Sequence, residues 1–205
     1  MLLSVDLDNT QEIQNFCIKK AIMIAKMIDS EQPKIQFLLN NESLTFTVKT
    51  KLPGSLVMGK YYSPIGRADI YVDDSMSHGK MMGTVLHEFA HHLQYKSRFK
   101  SEGWTTDHDH PGQQALYKKY KALCEPYYAA HSPKEMAAEA FRLLMGWGKF
   151  YLDWELDQSF RNDWLDFFYS EKMFSNCLGA SVDETVSKRY YDKIVEEMMK
   201  EEMEG

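Results

Sequence analysis

Val85-Leu86-His87-Glu88-Phe89-Ala90-His91-His92 is the stretch on which the organisation of this chain turns. Histidines four apart on a helix lie on one face, about one turn from each other. His87 and His91 can therefore aim two imidazoles at one metal ion. Glu88 stands beside the first histidine, where its carboxylate can reach a water on that ion without joining the ligands. The flanking sets Val85-Phe89-Leu93 and Leu86-Ala90 are apolar. That pattern buries the helix and leaves the histidine face toward a cleft. A helix over 77–96 carrying a metal face is expected.

Working outward, the chain changes character on the two sides of this helix. Asn9 followed by Glu12 signals a helix start, and Ile13, Phe16, Cys17, Ala21, Ile24 and Ile28 recur at helical spacing until Pro33. Ile35–Leu39, Leu44–Lys49 and Ala68–Val72 are short and rich in β-branched or aromatic residues. Asn40-Asn41 and Pro53-Gly54 punctuate them, which predicts a small sheet of three or four strands. After Asp73 strand signals largely stop, and helices are expected near 77–96, 111–124, 133–148, 155–169 and 183–203. The fold class is α+β: a small mixed sheet and the histidine helix in the N-terminal half, with a mainly helical C-terminal half. No linker or repeat divides the chain, so one domain over 1–205 is expected, with a sheet-containing lobe over about 1–96 and a helical lobe over about 111–205.

Bulk properties exclude several classes of partner. The 205 residues are 44% hydrophobic and 26% charged, ordinary for a globular protein, with a formal net charge of −6. An acidic balance argues against a nucleic-acid surface. No run approaches the roughly 20 apolar residues that span a bilayer. The N-terminus carries acids and no basic residue before any apolar run, unlike a secretion signal. Cys17, Cys124 and Cys177 are few and widely spaced. Reduced thiols and a cytoplasmic location are therefore expected, with no membrane partner.

A catalytic zinc usually takes three protein ligands and keeps a fourth position for water. Two segments offer the third. In the first, Glu135 and Glu139 lie one turn apart on a helix that Ser132 caps and Pro133 opens. One carboxylate can ligate while the other accepts the Nδ1 proton of a ligating histidine. The competing role for Glu135 is the capping box Ser132-x-x-Glu135. The second segment, Asp107-His108-Asp109-His110-Pro111-Gly112, would supply His110 and an all-histidine site. Its plainer role is a polar loop leading into the next helix.

His87-Glu88-Phe89-Ala90-His91, then Tyr128 and, seven residues on, Glu135-Met136-Ala137-Ala138-Glu139-Ala140-Phe141, resembles the peptidase domain of the anthrax-lethal-factor-like metallopeptidases. These are gluzincin-type zincins that include the Pro-Pro endopeptidases. The resemblance covers about 55 residues, Leu86 to Arg142. It implies a zincin-like fold, with Zn2+ held by His87, His91 and Glu135. It also implies Glu88 as general base, Tyr128 as transition-state donor and Glu139 behind the ligands. Ala90 replaces the glycine of many members, and Met136-Ala137 replace their aromatic pair, so the surroundings of the metal differ. A second resemblance, to SprT-like peptidases, rests on His110-Pro111-Gly112 and would make His110 the third ligand.

The expected activity is zinc-dependent endopeptidase cleavage of a peptide or protein substrate. Glu88 deprotonates the attacking water and passes the proton to the leaving amine. The alternatives are a SprT-like peptidase, a degenerate zinc-binding interaction module, or a hydrolase of another bond. The acid at 88 favours an enzyme, because a structural zinc site closes its shell and does not need it. The strand over Ala68–Val72, just before the zinc helix, is the expected edge of the cleft. His92 is expected to be a partly buried structural histidine. Leu156, Phe160, Trp164 and Phe168 are expected to form the core stripe of a helix rather than a substrate subsite. His78 and His131, at helix starts, and the acidic stretch from Glu196 to Glu204 are expected to face solvent.

Overall fold

Thr10 opens the first helix. Its carbonyl accepts the Gln14 N–H at 2.9 Å, and its hydroxyl lies 3.5 Å from the Ile13 nitrogen, so the cap falls one residue after Asn9. The computed structural model describes residues 2–5, 10–31, 44–100, 111–125, 127–145, 147 and 154–170. The expected strand at Ile35–Leu39, the expected helix over 183–203, residues 107–110 and Cys177 lie outside them.

The chain divides into two compact units, Met1–Tyr95 and Lys96–Gly205. In the first, the order is β1 (Leu2–Val5), α1 (Gln11–Glu31), β2 (Thr45–Thr50), β3 (Gly59–Tyr62), a 3-10 turn (Ser63–Ile65), β4 (Arg67–Val72) and α2 (His78–Lys100). The last turn of α2 runs into the second unit. There α3 (Pro111–Tyr120), a 3-10 turn (Tyr128–His131), α4 (Pro133–Leu144) and α5 (Trp154–Ser170) follow. The described residues are thus α+β, with five helices and one four-stranded mixed sheet. None of these helices is long and apolar enough to cross a membrane.

The sheet runs β1-β2-β4-β3. β1, β2 and β4 are parallel, and β3 joins β4 antiparallel. Arg67–Val72 therefore lies inside the sheet, and β3 forms its margin, which corrects the expected cleft edge. Two strands were not legible in the sequence. β1 is only four residues and gains its stability from parallel pairing with β2 through the α1 crossover. β3 follows a type II turn in which Pro53 sets the first corner and Gly54 takes φ +76°, with Ser55 N–H donating to Leu52 O at 3.0 Å.

Register assigns the two faces. Phe46 pairs with Ala68 and Val48 with Ile70, while Gly59 pairs with Ile70 and Tyr61 with Ala68. Partners across a sheet share a face, so these six positions line one side. Phe46, Val48, Ala68 and Ile70 are fully buried. The opposite side is polar. The Ser4 and Thr47 hydroxyls lie 2.9 Å apart, and the buried Asp69 carboxylate meets Lys49 Nζ at 3.1 Å and Arg67 Nε at 3.2 Å. Helix α1 packs on β1 and β2, and its helical stripe is buried through Cys17, Ala21, Ile24 and Ile28.

In the second unit α4 packs against α3, α5 and the preceding 3-10 turn. Phe160, Trp164 and Phe168 are buried, with ring centroids 6.1 Å apart for Phe160–Trp164 and 5.6 Å for Trp164–Phe168. Tyr120 and Phe141 close the cluster from α3 and α4. These three residues are core, as their spacing implied, whereas Leu156 at the head of the stripe is only half-buried. Helices α3 and α4 end at Tyr120 and Leu144, four residues before the expected ends. Beyond α4, the Met145 N–H returns to Phe141 O and the Arg161 guanidinium donates to Leu143 O, satisfying carbonyls at the helix end.

Candidate metal centre

Ser77 accepts the Lys80 N–H at 3.3 Å and caps α2, which places the His87–His91 turn in mid-helix, where geometry is most regular. Val85, Leu86, Phe89, Ala90 and Leu93 are buried almost completely. Their burial fixes the rotation of the helix about its axis, and so fixes where the histidines point. Ala90, where the resembling family has glycine, is part of this buried set.

The two imidazoles converge. His87 Nε2 and His91 Nε2 lie 3.1 Å apart, with the rings nearly perpendicular at 87°. Two nitrogens bound tetrahedrally to one zinc at about 2.0–2.1 Å stand about 3.3 Å apart, so this spacing suits a shared ion. His91 Nδ1 lies 3.2 Å from Gln94 Oε1. An amide oxygen only accepts, so Nδ1 carries the proton and Nε2 presents its lone pair. Gln94 was not singled out from the sequence. The signal was there: it lies three residues after His91, on the same helix face.

Glu88 follows His87 in the chain, is 5% exposed, and contributes no atom to the converging pair. Its side chain lies against the backbone of β3. A methyl group placed on Gly59 would fall on Glu88 Oε1 and stand 2.7 Å from both Cγ and Cδ. A side chain at position 59 would force the Glu88 side chain to shift. His92 is 3% exposed, shares a 2.9 Å hydrogen bond through Nδ1 with the Tyr61 hydroxyl, and stacks on Phe89. It is a structural histidine, more deeply buried than expected.

On α4, Ser132 takes extended backbone and its hydroxyl accepts the Glu135 N–H at 3.3 Å, with Pro133 as the first helical residue. This bond uses the backbone N–H of Glu135. Glu135 is half-buried on α4 in the second unit, whereas His87 and His91 lie on α2 in the first. Glu139 is buried, and its carboxylate is held by Arg142 one turn along the same helix. Met136 and Ala137 are fully buried in the helical unit. Tyr128 opens the 3-10 turn, 55% exposed, with its ring 4.7 Å from that of His131. His78 and His131 face solvent. His110, the rival third ligand, lies outside the described residues.

Cysteine chemistry has no support here. Among the described residues Cys17 and Cys124 are buried and form no disulfide, and burial pushes the Cys124 thiol up to about 11, far from a reactive thiolate. No family model matches this chain, and neither a curated protein nor a solved structure matches it.

Proposed function

We propose that this protein is a zinc-dependent metalloendopeptidase of the zincin type, similar in its site to the anthrax-lethal-factor-like peptidases. The observation that carries the proposal is the convergence of His87 Nε2 and His91 Nε2 to 3.1 Å beside a buried Glu88 that stays out of the donor pair. A site built only to hold metal closes its shell and has no use for such an acid. Glu135 supplies the third ligand, as the resemblance to the lethal-factor-like peptidases implies. Two imidazoles and one carboxylate suit Zn2+ and leave a position open.

Zinc bound there would lower the pKa of a coordinated water to about 7 and polarise a carbonyl. The chain does the rest. Gln94 orients His91 through its Nδ1. Glu88 takes the proton from the attacking water and returns it to the departing amine. Tyr128, with its phenol on an exposed turn, donates to the developing oxyanion, a contribution of roughly 10²–10³ in rate. The substrate is a peptide or protein, and the reaction takes place in the cytoplasm.

Glu88→Gln separates this proposal from a zinc-binding module. The variant should keep its fold and its zinc while hydrolysis of labelled casein falls by at least about 10³-fold, as for a lost acid–base group. Undiminished hydrolysis by Glu88→Gln would remove Glu88 from the mechanism.

A further inference from the structure

Two contacts tie the marginal strand β3 to helix α2, and they fall in step. Gly59 lies against Glu88, and Tyr61 bonds to His92. Residues two apart on a strand advance about 6.7 Å on one face, and residues four apart on a helix advance about 6 Å on one face. Strand and helix therefore run alongside each other with matched spacing, 59 against 88 and 61 against 92. The register agrees, because Gly59 and Tyr61 pair with Ile70 and Ala68 and so face the same side of the sheet.

We propose that β3 is the element that positions the general base: the Tyr61–His92 hydrogen bond holds the strand against α2, and the bare backbone at Gly59 sets where the Glu88 carboxylate rests. Tyr61 and Gly59 are positioning residues that act through His92 and Glu88. His92 Nδ1 and the Tyr61 hydroxyl sit at 2.9 Å, with the rings edge to face at 79° and His92 buried, so the anchor is directional and partly sheltered. Phe89 beneath His92 and Tyr95 beside Tyr61 keep both rings in place. A glutamate carries three rotatable side-chain bonds. A wall on one side removes the rotamers that would cross it, and a misplacement of about 1 Å in such a group can cost 10²-fold in rate. The catalytic consequence rests on Glu88 being the base; the mechanical claim does not.

A coupling experiment on the full chain tests the mechanical claim. Gly59→Ala drives a methyl group into Glu88 Cγ and Cδ and should lower Tm by about 2–12 °C, the range for overpacking in a protein of this size. In a Glu88→Asp background the colliding atoms are withdrawn, so the same Gly59→Ala change should cost less than half as much. In a Tyr61→Phe background β3 is released from His92 and can retreat, so the cost should again fall. Equal losses in all three backgrounds would overturn the proposal, since independent sites add. On labelled casein, Tyr61→Phe should lower kcat about tenfold with KM and zinc content unchanged. A change confined to zinc content or KM would also overturn it. The Tm cycle needs neither zinc nor substrate, so a chain that left casein intact would sink the peptidase proposal alone, and the cycle would still decide this one.

Discussion

Replacing Glu135 by glutamine exchanges one carboxylate oxygen for a neutral amide and leaves the helix start untouched. The Ser132 hydroxyl accepts the backbone N–H of residue 135, a bond that survives any side-chain change there. The loss should therefore appear in metal affinity and hardly at all in folding. Structural zinc sites release about 10–16 kcal/mol through four ligands, or about 3 kcal/mol per ligand, so removing one of three should weaken binding on the order of 10²-fold. Titration against a chromophoric chelator reads that change, with circular dichroism and Tm as controls. Ser132→Ala provides the reverse case: it should cost about 1 kcal/mol of stability as a lost cap and leave zinc affinity near wild type. His110→Ala, at the rival position, should also leave zinc affinity unchanged. Wild-type affinity in Glu135→Gln together with loss in His110→Ala would refute the glutamate ligand and put the SprT-like arrangement in its place.

Gln94→Ala frees His91 Nδ1 from its acceptor and should weaken zinc binding by roughly 10–100-fold, the usual cost of removing a group that orients a metal-bound histidine; chelator competition measures this, and an unchanged affinity would show the Gln94 contact to be incidental. Asp163 gives a pH prediction in the helical unit. Burial raises its carboxyl, but hydrogen bonds from Lys119 and the Tyr120 hydroxyl outweigh burial and hold it below the usual carboxylate range. A depressed folded value means stability that is present above the unfolded value near 3.8 and is lost as pH falls through the folded value. Asp163→Asn should thus melt below wild type at pH 7, with the two curves converging as pH falls below the lowered carboxyl value; parallel curves down to that pH would remove Asp163 from the acid response.

Glu88, His87 and His91 were legible in the sequence because helix geometry is local. A four-residue spacing places two side chains on one face whatever the rest of the chain does, and the apolar positions between them state which way that face turns. The same holds for the α1 stripe, the Phe160–Trp164–Phe168 core and the Ser132–Pro133 helix start, each a matter of a few adjacent residues. The α+β class followed from where period-two and helical patterns change over.

What only the tertiary structure decided involves residues distant in the chain. β1 and β3 are four residues each, too short to declare themselves, and are strands because partners 43 and 11 positions away complete their hydrogen bonds in the registers Leu2↔Thr45 and Gly59↔Ile70. The same pairing moved the sheet margin from Arg67–Val72 to β3. It also gave Gly59 and Tyr61 their places beside Glu88 and His92, which no spacing along the chain encodes. His92 read as a bystander because its partner lies 31 residues back. Local periodicity orients a side chain about its own helix axis, but which atom meets it is set by burial and pairing summed over the whole fold.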